Sequence, residues 1–373
     1  MEDKFCIGCG MTIQTVNKNE PGFIPESAYV KHMDDEAMYC QRCFRIKNYQ
    51  DVMVNNLTND DYLQILNNIG DVDALIVMIV DTFDFSGSFL PQIKRLTGNN
   101  DLLLVCNKMD ILPKNVNQNK IMNWIKHMIK EEGLDICDSI LISAKKGDNV
   151  EALMDLIFKY KKNRDVYFVG ASNVGKSKLI NQVLKRFTGT DKEVLTVSNV
   201  PGTTLGLVGF PLDDGTYLYD TPGVINRHQY FQYLTRKSLK MILPQKEIKP
   251  LVFQLDAEQT LFVGGLARFD FLSGEKSSKN NISTYFSNKL NIHRTKLSNA
   301  ENLYSTKLYS LLTPPFSSAE ALPKMKVTEF KARDGAKYDI VISGLGFISL
   351  RGPFHIKAWA PVMVGVYIRD AII

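Results

Sequence analysis

A glycine-rich segment that ends in a lysine and a serine offers the clearest chemistry in this chain. Residues 170–177 are GASNVGKS and match the spacing GxxxxGKS. An apolar run precedes the segment and an amphipathic helical pattern follows it, which is the context of a phosphate-binding loop. In such a loop the backbone amides and the helix N-terminus bind phosphates, Lys176 neutralises β- and γ-phosphate oxygens, and the Ser177 hydroxyl binds Mg²⁺. The segment therefore predicts a nucleoside triphosphate site.

Two further motifs indicate which base this site binds. Asn107-Lys108-Met109-Asp110 has the pattern NKxD, and Ser143-Ala144-Lys145 forms a second motif further along the chain. Guanine presents N1–H and a 2-amino group as adjacent donors, which the carboxylate of Asp110 can accept together, and adenine lacks this pair. We expect Asn107 to face the base edge or to brace the loop, and the stem of Lys108 to lie over the ring. A backbone amide of residues 143–145 is expected to meet guanine O6.

Two segments after the phosphate loop complete a magnesium and γ-phosphate site. Pro201-Gly202-Thr203-Thr204 offers the Thr204 hydroxyl to Mg²⁺. Asp220-Thr221-Pro222-Gly223 has the pattern DxxG, in which Asp220 is placed to hold a magnesium-bound water and the amide of Gly223 to sense the γ-phosphate. Either segment alone is an ordinary turn. Their order and spacing after the phosphate loop support the prediction.

Short apolar runs and amphipathic helical patterns alternate from residue 71 onward, which is typical of a parallel α/β sheet. The pattern predicts strands at 74–80, 102–106, 139–142, 166–169 and 216–219, and helices over 121–129, 150–160 and 179–187. NKxD, the Ser143–Lys145 turn, the phosphate loop and DxxG each follow one of these strands, so the strand ends position them. Cys106 and Cys137 lie in or beside the apolar runs and are expected in the core.

The motifs follow one another in an unusual order. In GTPases of the translation-factor class the phosphate loop comes first, and NKxD and SAK come last. Here NKxD and SAK precede the phosphate loop. The predicted fold is therefore α/β, a circularly permuted P-loop GTPase domain with a mainly parallel sheet and flanking helices. A parallel sheet can be traced from a different starting point when the original termini lie close together.

Hydrolysis by this site is expected to be slow. In Ras-like enzymes a glutamine just after DxxG orients the attacking water, and Val224 at that position has no hydrogen-bonding side chain. Asn173 lies where related GTPases use an asparagine to hold a monovalent cation, so potassium is expected to stimulate turnover. The predicted catalytic residues are Lys176, Asn173, Thr204 and Gly223. The predicted nucleotide-binding residues are Asn107, Lys108, Asp110, Ser143, Ala144, Lys145, Gly170, Ser172, Asn173, Val174, Gly175, Lys176, Ser177, Lys178, Thr204, Asp220 and Gly223, of which Ser177, Thr204 and Asp220 also bind Mg²⁺.

Four cysteines near the N-terminus form two tight pairs. Cys6 and Cys9 form one CxxC, Cys40 and Cys43 form the other, and 30 residues separate the pairs. Two such pairs supply the four thiolates of a closed tetrahedral zinc site, which leaves no position for a catalytic water. A redox CxxC is the alternative, but a thioredoxin-like βαβ context is missing. We therefore expect a structural zinc module over residues 1–48.

Size and composition set the broad class. The chain has 373 residues, of which 45% are hydrophobic and 23% charged, values that exclude wholesale disorder and predict two or three domains. No apolar run approaches the ~20 residues that span a bilayer. The first residues show neither a signal nor a transit pattern. We expect a soluble, cytoplasmic monomer without a membrane partner.

The C-terminal part of the chain is basic. Residues 224–373 contain 21 Lys and Arg against 11 Asp and Glu, a net charge of +10, whereas the first 223 residues carry −5. Short apolar runs and glycine pairs predict a separate, mainly β domain over 226–373. Basic and aromatic residues interleave at Lys307–Tyr309 and Arg351–Trp359, which suits phosphate contact and base stacking, although Phe354 and Trp359 could equally be core residues.

The permuted motifs, the four-cysteine module, the segment Asp81–Ser88 (DTFDFSGS) and the long C-terminal region together resemble the YqeH family of circularly permuted GTPases. The resemblance implies a role in ribosome biogenesis, with ribosomal RNA or the small ribosomal subunit as partner. It also implies a structural or partner role for Asp81–Ser88.

The predicted protein is a GTP-binding and GTP-hydrolysing switch with GTP or GDP, Mg²⁺, Zn²⁺ and K⁺ as cofactors. Its expected domains are the zinc module (1–48), the GTPase domain (49–225) and a basic RNA- or ribosome-binding domain (226–373). Two alternatives remain. One is a non-catalytic zinc- and RNA-binding scaffold whose nucleotide site is only regulatory, which the intact Lys176, Ser177 and Asp220 disfavour. The other is a P-loop ATPase or kinase, which Asp110 disfavours.

Overall fold

The computed structural model of this protein describes residues 4–6, 11–17, 22–31, 38–41, 66–90, 93–188, 208–212, 214–224, 226–230, 233–275, 280–320 and 322–373. The chain divides into two compact units. The first unit consists of residues 1–80, 90–107 and 130–225, and the second of residues 81–89, 108–129 and 226–373. None of the helices in the described part of the chain has the length and apolar content that crossing a bilayer requires.

A six-stranded mixed sheet forms the centre of the first unit. Its strands are β1 (Ala74–Asp81), β2 (Asp101–Asn107), β3 (Asp138–Leu141), β4 (Asp165–Gly170), β5 (Val208–Pro211) and β6 (Tyr217–Asp220). They are arranged in the order β3-β2-β1-β4-β6-β5. The pairs β2–β3, β1–β4 and β4–β6 are parallel, and β5 is antiparallel to β6. All five predicted strands are present, and β5 is an additional one.

Apolar residues occupy both faces of the central strands. Seven consecutive residues of β1, from Ala74 to Val80, are fully buried. An unbroken apolar run of this kind is typical of a parallel sheet that is covered on both faces. Cys106 in β2 is also fully buried, which raises the pKa of its thiol, and the half-buried Cys137 packs against the same core. Cys106 is therefore a core residue, as the apolar context predicts, and Cys137 lies at the edge of the core.

Helices within the described residues include, in chain order, α1 (Glu26–Lys31), α2 (Phe85–Ser88), α3 (Ile93–Thr97), α4 (Gln118–Glu131), α5 (Val150–Lys161), α6 (Lys176–Thr188), α7 (Arg236–Ile242) and α8 (Ala300–Lys307). Apolar spacing correctly predicts α4, α5 and α6. Leu153 of α5 and Leu179 and Val183 of α6 are fully buried and share one core with Val166 and Phe168 of β4. The helices thereby fix β4, the strand that leads into the phosphate loop.

Two five-stranded sheets form most of the second unit. In chain order their strands are β7 (Leu251–Leu255), β8 (Gln259–Val263), β9 (Ala267–Ser273), β10 (Asn280–Phe286), β11 (Ile292–Lys296), β12 (Met325–Ala332), β13 (Lys337–Ile342), β14 (Gly346–Arg351), β15 (Phe354–Pro361) and β16 (Val366–Asp370). One sheet has the order β16-β13-β14-β10-β7, the other has the order β11-β8-β9-β15-β12, and every defined pair is antiparallel. The prediction of a mainly β C-terminal region is confirmed.

The two sheets share one apolar core, which corrects part of the stacking prediction. Phe354 is 4% exposed and belongs to this core, with its ring edge-on to Tyr338, so the expectation that it stacks on a base is wrong. Trp359 is half-buried. Its indole N–H donates to Asp270 Oδ2 at 2.7 Å, and the guanidinium of Arg268 lies 5.1 Å from its ring centroid. The alternation of β15 therefore places its aromatic residues in structural contacts.

Candidate nucleotide site

The phosphate loop joins the end of β4 to the start of α6. Two residues in this turn have positive φ, Asn173 at 65° and Gly175 at 92°. A Cβ on Gly175 would lie 2.4 Å from the side-chain amide nitrogen of Asn107, and a Cβ on Gly170 would lie 2.7 Å from the carbonyl oxygen of Ile79. Only glycine fits at both positions. The two motif glycines therefore allow the loop to pack against its neighbouring strands.

Asn107, the first residue of NKxD, connects three of the predicted motifs. Its Nδ2 donates to the carbonyl of Val174 in the phosphate loop at 2.8 Å, and its Oδ1 accepts from the amide of Ala144 at 2.9 Å. The side chain is 2% exposed. Of the two roles that the sequence leaves open, these contacts support bracing of the loop. They also show that the Ala144 amide is engaged by Asn107.

The turn after β3 is closed by its own hydrogen bonds. The amide of Ser143 donates to the carbonyl of Asp148 at 3.1 Å, and the amide of Gly147 donates back to Ser143 at 2.8 Å. The hydroxyl of Ser143 accepts from the amide of Lys146 at 3.1 Å. Ser143 and Ala144 are buried, whereas Lys145 is exposed. The predicted SAK residues thus form a compact turn beside Asn107.

Lys176 and Asp220 form the charged centre of the site. The ammonium of Lys176 bonds both the carboxylate of Asp220 and the carbonyl of Thr221, and the lysine is 8% exposed. Asp220 ends β6, the parallel neighbour of β4, so the carboxyl ends of the two strands bring the two groups together. The hydroxyl of Thr221 donates to the carbonyl of Phe168 at 2.9 Å and holds this segment to β4.

The DxxG segment continues along the phosphate loop beyond Asp220. The amide of Val224 donates to the carbonyl of Gly170 at 3.0 Å, and the carbonyl of Val224 accepts from the amide of Ser172 at 2.7 Å. A Cβ on Gly223 would lie 3.2 Å from Cα of Ser172. Gly223 therefore lies beside the phosphate loop. Val224 contributes only backbone groups to these contacts.

Oxygen ligands for a magnesium ion are available here. Ser177 is exposed at the first turn of α6, and the side chain of Asp220 is 23% exposed. A carboxylate and a hydroxyl suit Mg²⁺, which takes a few protein oxygens together with phosphate and water. Lys178, also in this first turn, is exposed. Thr204 and the rest of Pro201–Thr204 lie outside the described residues.

The remaining members of NKxD lie in the turn that follows β2. Lys108 has φ 69° and ψ 30°, and Asp110 lies in the short 3-10 turn Met109–Ile111. The amide of Ile111 donates to the carbonyl of Lys108 at 3.0 Å and closes the turn. The ammonium of Lys108 pairs with Asp81 Oδ2 at 2.6 Å. A carboxylate partner for Lys108 was not predicted from the sequence.

One cysteine from each N-terminal pair is described, and the two lie together. Cys6 is 1% exposed and Cys40 is 0% exposed. The amide of Cys40 donates to Sγ of Cys6 at 3.2 Å. Cys9 and Cys43 lie outside the described residues, and among the residues that are described no group of three or more metal-binding side chains occurs. The two pairs thus approach each other through the Cys6 thiol and the Cys40 backbone.

Comparison with known proteins settles the family. Over an alignment of 375 residues, covering 100% of both chains, the chain is 46% identical to the protein YqeH of Bacillus subtilis (strain 168). The chain belongs to the YqeH family. Residues 279–372 of this YqeH-family protein match the family "YqeH-like, C-terminal", and residues 165–270 match "50S ribosome-binding GTPase". The resemblance indicated by the motifs is confirmed, and the chain contains a GTPase domain that binds GTP or GDP with Mg²⁺.

More distant relatives of this YqeH-family protein span kingdoms. NO-associated protein 1, chloroplastic/mitochondrial, from Arabidopsis thaliana is 31% identical over 92% of this chain and 69% of its own length. Nitric oxide-associated protein 1 from Homo sapiens is 22% identical over 99% of this chain and 74% of its own length. Among solved structures, GNP-bound YlqF from T. maritima covers 44% of this chain and 57% of its own, with 18% identity and a TM-score of 0.31.

Asp84, in the segment DTFDFSGS, is a buried carboxyl group. The sequence motifs of this YqeH-family protein do not predict its contacts. Its Oδ2 accepts from the side-chain amide of Gln229 at 2.7 Å and from the backbone amide of Gly344 at 2.9 Å. Burial, with a smaller contribution from the charge of Asp81, raises the pKa of Asp84 to about 7, although the hydrogen bonds from Gln229 and Gly344 and the charge of Arg369 oppose the shift. Within the described residues, Oδ1 of Asp84 and Oε1 of Gln229 have no hydrogen-bond partner. Protonation of Asp84 removes the charge that burial disfavours.

Asp84→Asn is therefore expected to stabilise the second unit at alkaline pH. The folded-state pKa of about 7 exceeds the ordinary value of 3.8, so the folded protein binds an extra proton between these values and loses stability as the pH rises through them. We expect the free energy of unfolding to fall by about 2 to 3 kcal/mol between pH 5 and pH 8 in the wild type, and much less in the variant. Urea unfolding followed by tryptophan fluorescence tests this, because both tryptophans, Trp124 and Trp359, lie in the second unit. Parallel pH profiles for the two proteins would contradict it.

Proposed function

We propose that this protein is a GTP-hydrolysing molecular switch in ribosome assembly, acting in biogenesis of the small subunit. The observation that carries the switch is the hydrogen-bonded run of Asp220–Val224 along the phosphate loop. Lys176 and Asp220 hold each other there, although the first is needed for phosphate and the second for the magnesium site. In the proposed switch, the γ-phosphate and Mg²⁺ of GTP engage Lys176 and Asp220, and the segment Asp220–Val224 changes its arrangement when the γ-phosphate is lost.

The protein's own groups have distinct tasks in this mechanism. The loop amides and Lys176 hold the phosphate oxygens and offset the charge that develops in the transition state. Asp220 and Ser177 would hold Mg²⁺, which neutralises charge on the β- and γ-phosphates. Thr204 is proposed as a further ligand. Val224 cannot orient water through its side chain, so we propose slow intrinsic hydrolysis and a potassium ion held by Asn173, which is exposed in the loop.

The ribosomal partner is supported by charge and by family. Residues 224–373 carry a net charge of +10. On and beside β12, Lys324, Lys326, Lys331 and Arg333 are exposed, so their charges are accessible to phosphates. The matched GTPase family is described as binding the 50S subunit, whereas the motif resemblance implies the small subunit, so both subunits must be tested. A cytoplasmic location is part of this proposal.

Ribosomal subunit binding is expected to depend on nucleotide and to weaken steeply with salt. Co-sedimentation with purified small and large subunits, in GDP and in a non-hydrolysable GTP analogue, should show a preference for the small subunit and for one nucleotide. When the logarithm of the binding constant is plotted against the logarithm of the salt concentration, each lost phosphate contact should reduce the steepness of the slope by about one unit or somewhat less. The double substitution Lys324→Glu and Lys326→Glu should reduce binding at least tenfold. The matched control, Lys126→Glu and Lys130→Glu on the exposed face of α4, makes the same change in net charge. Salt-insensitive binding that is equal in both nucleotides would refute this part of the proposal.

We also propose a structural zinc ion held by Cys6, Cys9, Cys40 and Cys43. Burial of Cys6 and Cys40 and the contact of one with the other support it, because thiolates that share one ion must lie close together. Zinc in such a site supplies folding free energy and no catalytic water. The four thiols would supply the complete ligand set.

Chelation should therefore unfold residues near 1–48 and leave GDP affinity unchanged. The reason is that metal binding and local folding are one event in a four-thiolate site, whereas the GTPase domain has its own core. Metal analysis is expected to give one zinc per chain, and chelator treatment should make Cys6 and Cys40 reactive to alkylation. The buried Cys106 serves as internal control and should stay protected. Well under one zinc per chain, with Cys6 and Cys40 alkylated in untreated protein, would overturn the assignment.

A further inference from the structure

Asp81 and Lys108 form an ion pair at the ends of neighbouring strands. β1 ends at Asp81 and β2 ends at Asn107, and the two strands are adjacent in the sheet. Lys108 Nζ lies 2.6 Å from Asp81 Oδ2, and the two side chains are 22% and 13% exposed. This distance is that of a charge-assisted hydrogen bond. The lysine of the NKxD motif is thus fixed at its tip by a carboxylate 27 positions earlier in the chain.

The carboxylate is itself held in place. Asp81 Oδ1 accepts from the amide of Phe83 at 3.0 Å, and the backbone amide of Asp81 donates to the hydroxyl of Ser88 at 2.8 Å. The same hydroxyl donates to the carbonyl of Asp84 at 2.8 Å. The first turn of the DTFDFSGS segment is therefore closed around Asp81. Because the carboxylate is held by its own segment, it acts as a fixed point for the lysine.

Lys108 is also constrained at its backbone. Its φ of 69° is left-handed, a conformation that non-glycine residues seldom adopt without a structural reason. The turn that holds it is closed by the bond from Ile111. Because the side chain is fixed at both Cα and Nζ, its four methylene groups can adopt few conformations. The rotamer freedom that a lysine otherwise loses on binding a ligand is then already removed before the nucleotide arrives.

We propose that Asp81 is a positioning residue for nucleotide binding, which sets the stem of Lys108 before the base enters. The inference deepens the GTP-binding part of the proposed function and is independent of the ribosomal part. A methylene stem packs against the face of a ring and does not contact the groups at the edge of the base. Asp81 should therefore affect guanine and xanthine nucleotides equally. In this respect Asp81 differs from Asp110, whose carboxylate is expected to accept hydrogen bonds from the edge of guanine.

A double-mutant cycle with GDP tests the proposal. The proteins are wild type, Asp81→Asn, Lys108→Met and the double variant, and the dissociation constant for GDP is measured for each. Asp81→Asn keeps the acceptor for the Phe83 amide and removes the charge, and Lys108→Met keeps an unbranched stem and removes the ammonium. Each single variant is expected to weaken GDP binding about tenfold, the scale of the rotamer freedom of a lysine. The double variant should be no weaker than either single one.

Three results would overturn the proposal. These are unchanged GDP affinity in Asp81→Asn, unchanged affinity in Lys108→Met, and additive losses in the double variant. Asp84→Asn, a change in the same loop, is the control and should leave GDP affinity unaltered. Tryptophan fluorescence reports whether the second unit stays folded, and Lys108→Met carries the test if Asp81→Asn does not fold. A wild-type protein that fails to bind GDP would refute the GTPase assignment itself.

A second readout separates positioning from a general loss of structure. In the Asp110→Asn background, Asp81→Asn should weaken GTP and XTP binding by the same factor, so the ratio of the two affinities stays constant. A changed ratio would mean that Asp81 acts on the base edge, and the assignment to the Lys108 stem would be wrong.

Discussion

Replacing Asp110 by asparagine is expected to move the nucleotide preference of this protein from GTP to XTP. Guanine offers N1–H and a 2-amino group, both donors, to the carboxylate. Xanthine keeps N1–H but has a carbonyl at position 2. The asparagine amide can accept the first and donate to the second, whereas with guanine it places a donor against a donor. Two charge-assisted hydrogen bonds are lost with GTP, so we expect GTP affinity to fall roughly 10²- to 10⁴-fold and XTP affinity to exceed it.

The change of preference can be measured by competition, in which GTP, ATP or XTP displaces labelled GDP from the protein. The wild type should exclude ATP and XTP, and Asp110→Asn should admit XTP while still excluding ATP. Hydrolysis of XTP by the variant at a rate near that of GTP by the wild type would show that the substitution leaves the phosphate site intact. Unchanged affinity of Asp110→Asn for guanine nucleotides would show that Asp110 does not recognise the base.

The first unit was predictable because its strands are continuous apolar runs. β1 is buried along seven consecutive residues, so the sequence alone identifies it. The phosphate loop, NKxD and SAK follow such strands directly, and the local geometry of each motif follows from its own residues. The exception is β5, a short strand at the edge of the sheet whose sequence, VGFP, contains both glycine and proline. Such a strand has no periodic pattern of its own.

The second unit was less predictable because polar residues occupy positions in its sheets. β9 has the sequence ARFDFLS, in which Arg268 is 7% exposed and Asp270 is 2% exposed. The two residues pair at 2.6 Å, and the carboxylate also accepts from the hydroxyl of Thr260. Alternation of apolar and polar residues normally indicates a strand with one face in the core and the other in solvent. In β9 the polar face is buried as well, and its charged residues pair with each other. β12, at the edge of the same sheet, is half exposed and carries no apolar run.

The roles of Asp81 and Asp84 could not be read from the sequence for a related reason. Asp84 is bonded to Gln229 and Gly344, which are 145 and 260 positions away. Nothing in a single sequence specifies pairs at such separations. The one available signal is the placement of two carboxylates directly after a buried strand. The same limit applies to Asn107, whose bracing role depends on Val174, 67 positions later.

Potassium is expected to accelerate GTP hydrolysis by up to about 10³-fold relative to sodium, the scale that an arginine finger supplies. Lys176 is the lysine of the phosphate loop itself, and Val224 offers no side-chain group to orient water. An additional positive charge beside the phosphates would therefore have a large effect on a transition state whose charge lies on the phosphate oxygens. Asn173 is exposed in the loop and has a side-chain oxygen suited to such an ion.

The substitution Asn173→Ala should abolish the potassium effect and leave the slow rate in sodium unchanged. Because Asn173 has φ 65°, alanine there introduces backbone strain, whereas Asn173→Gly removes the amide oxygen without it. The two variants should therefore lose potassium stimulation equally, even if Asn173→Ala also binds GDP more weakly. Single-turnover hydrolysis in matched potassium and sodium buffers, with GDP affinity measured beside it, separates the two effects. Equal rates of GTP hydrolysis by the wild type in both buffers would show that potassium does not supply the additional positive charge. Stimulation that persists in Asn173→Gly would place the ion on other residues, because that variant has no side-chain oxygen to bind it.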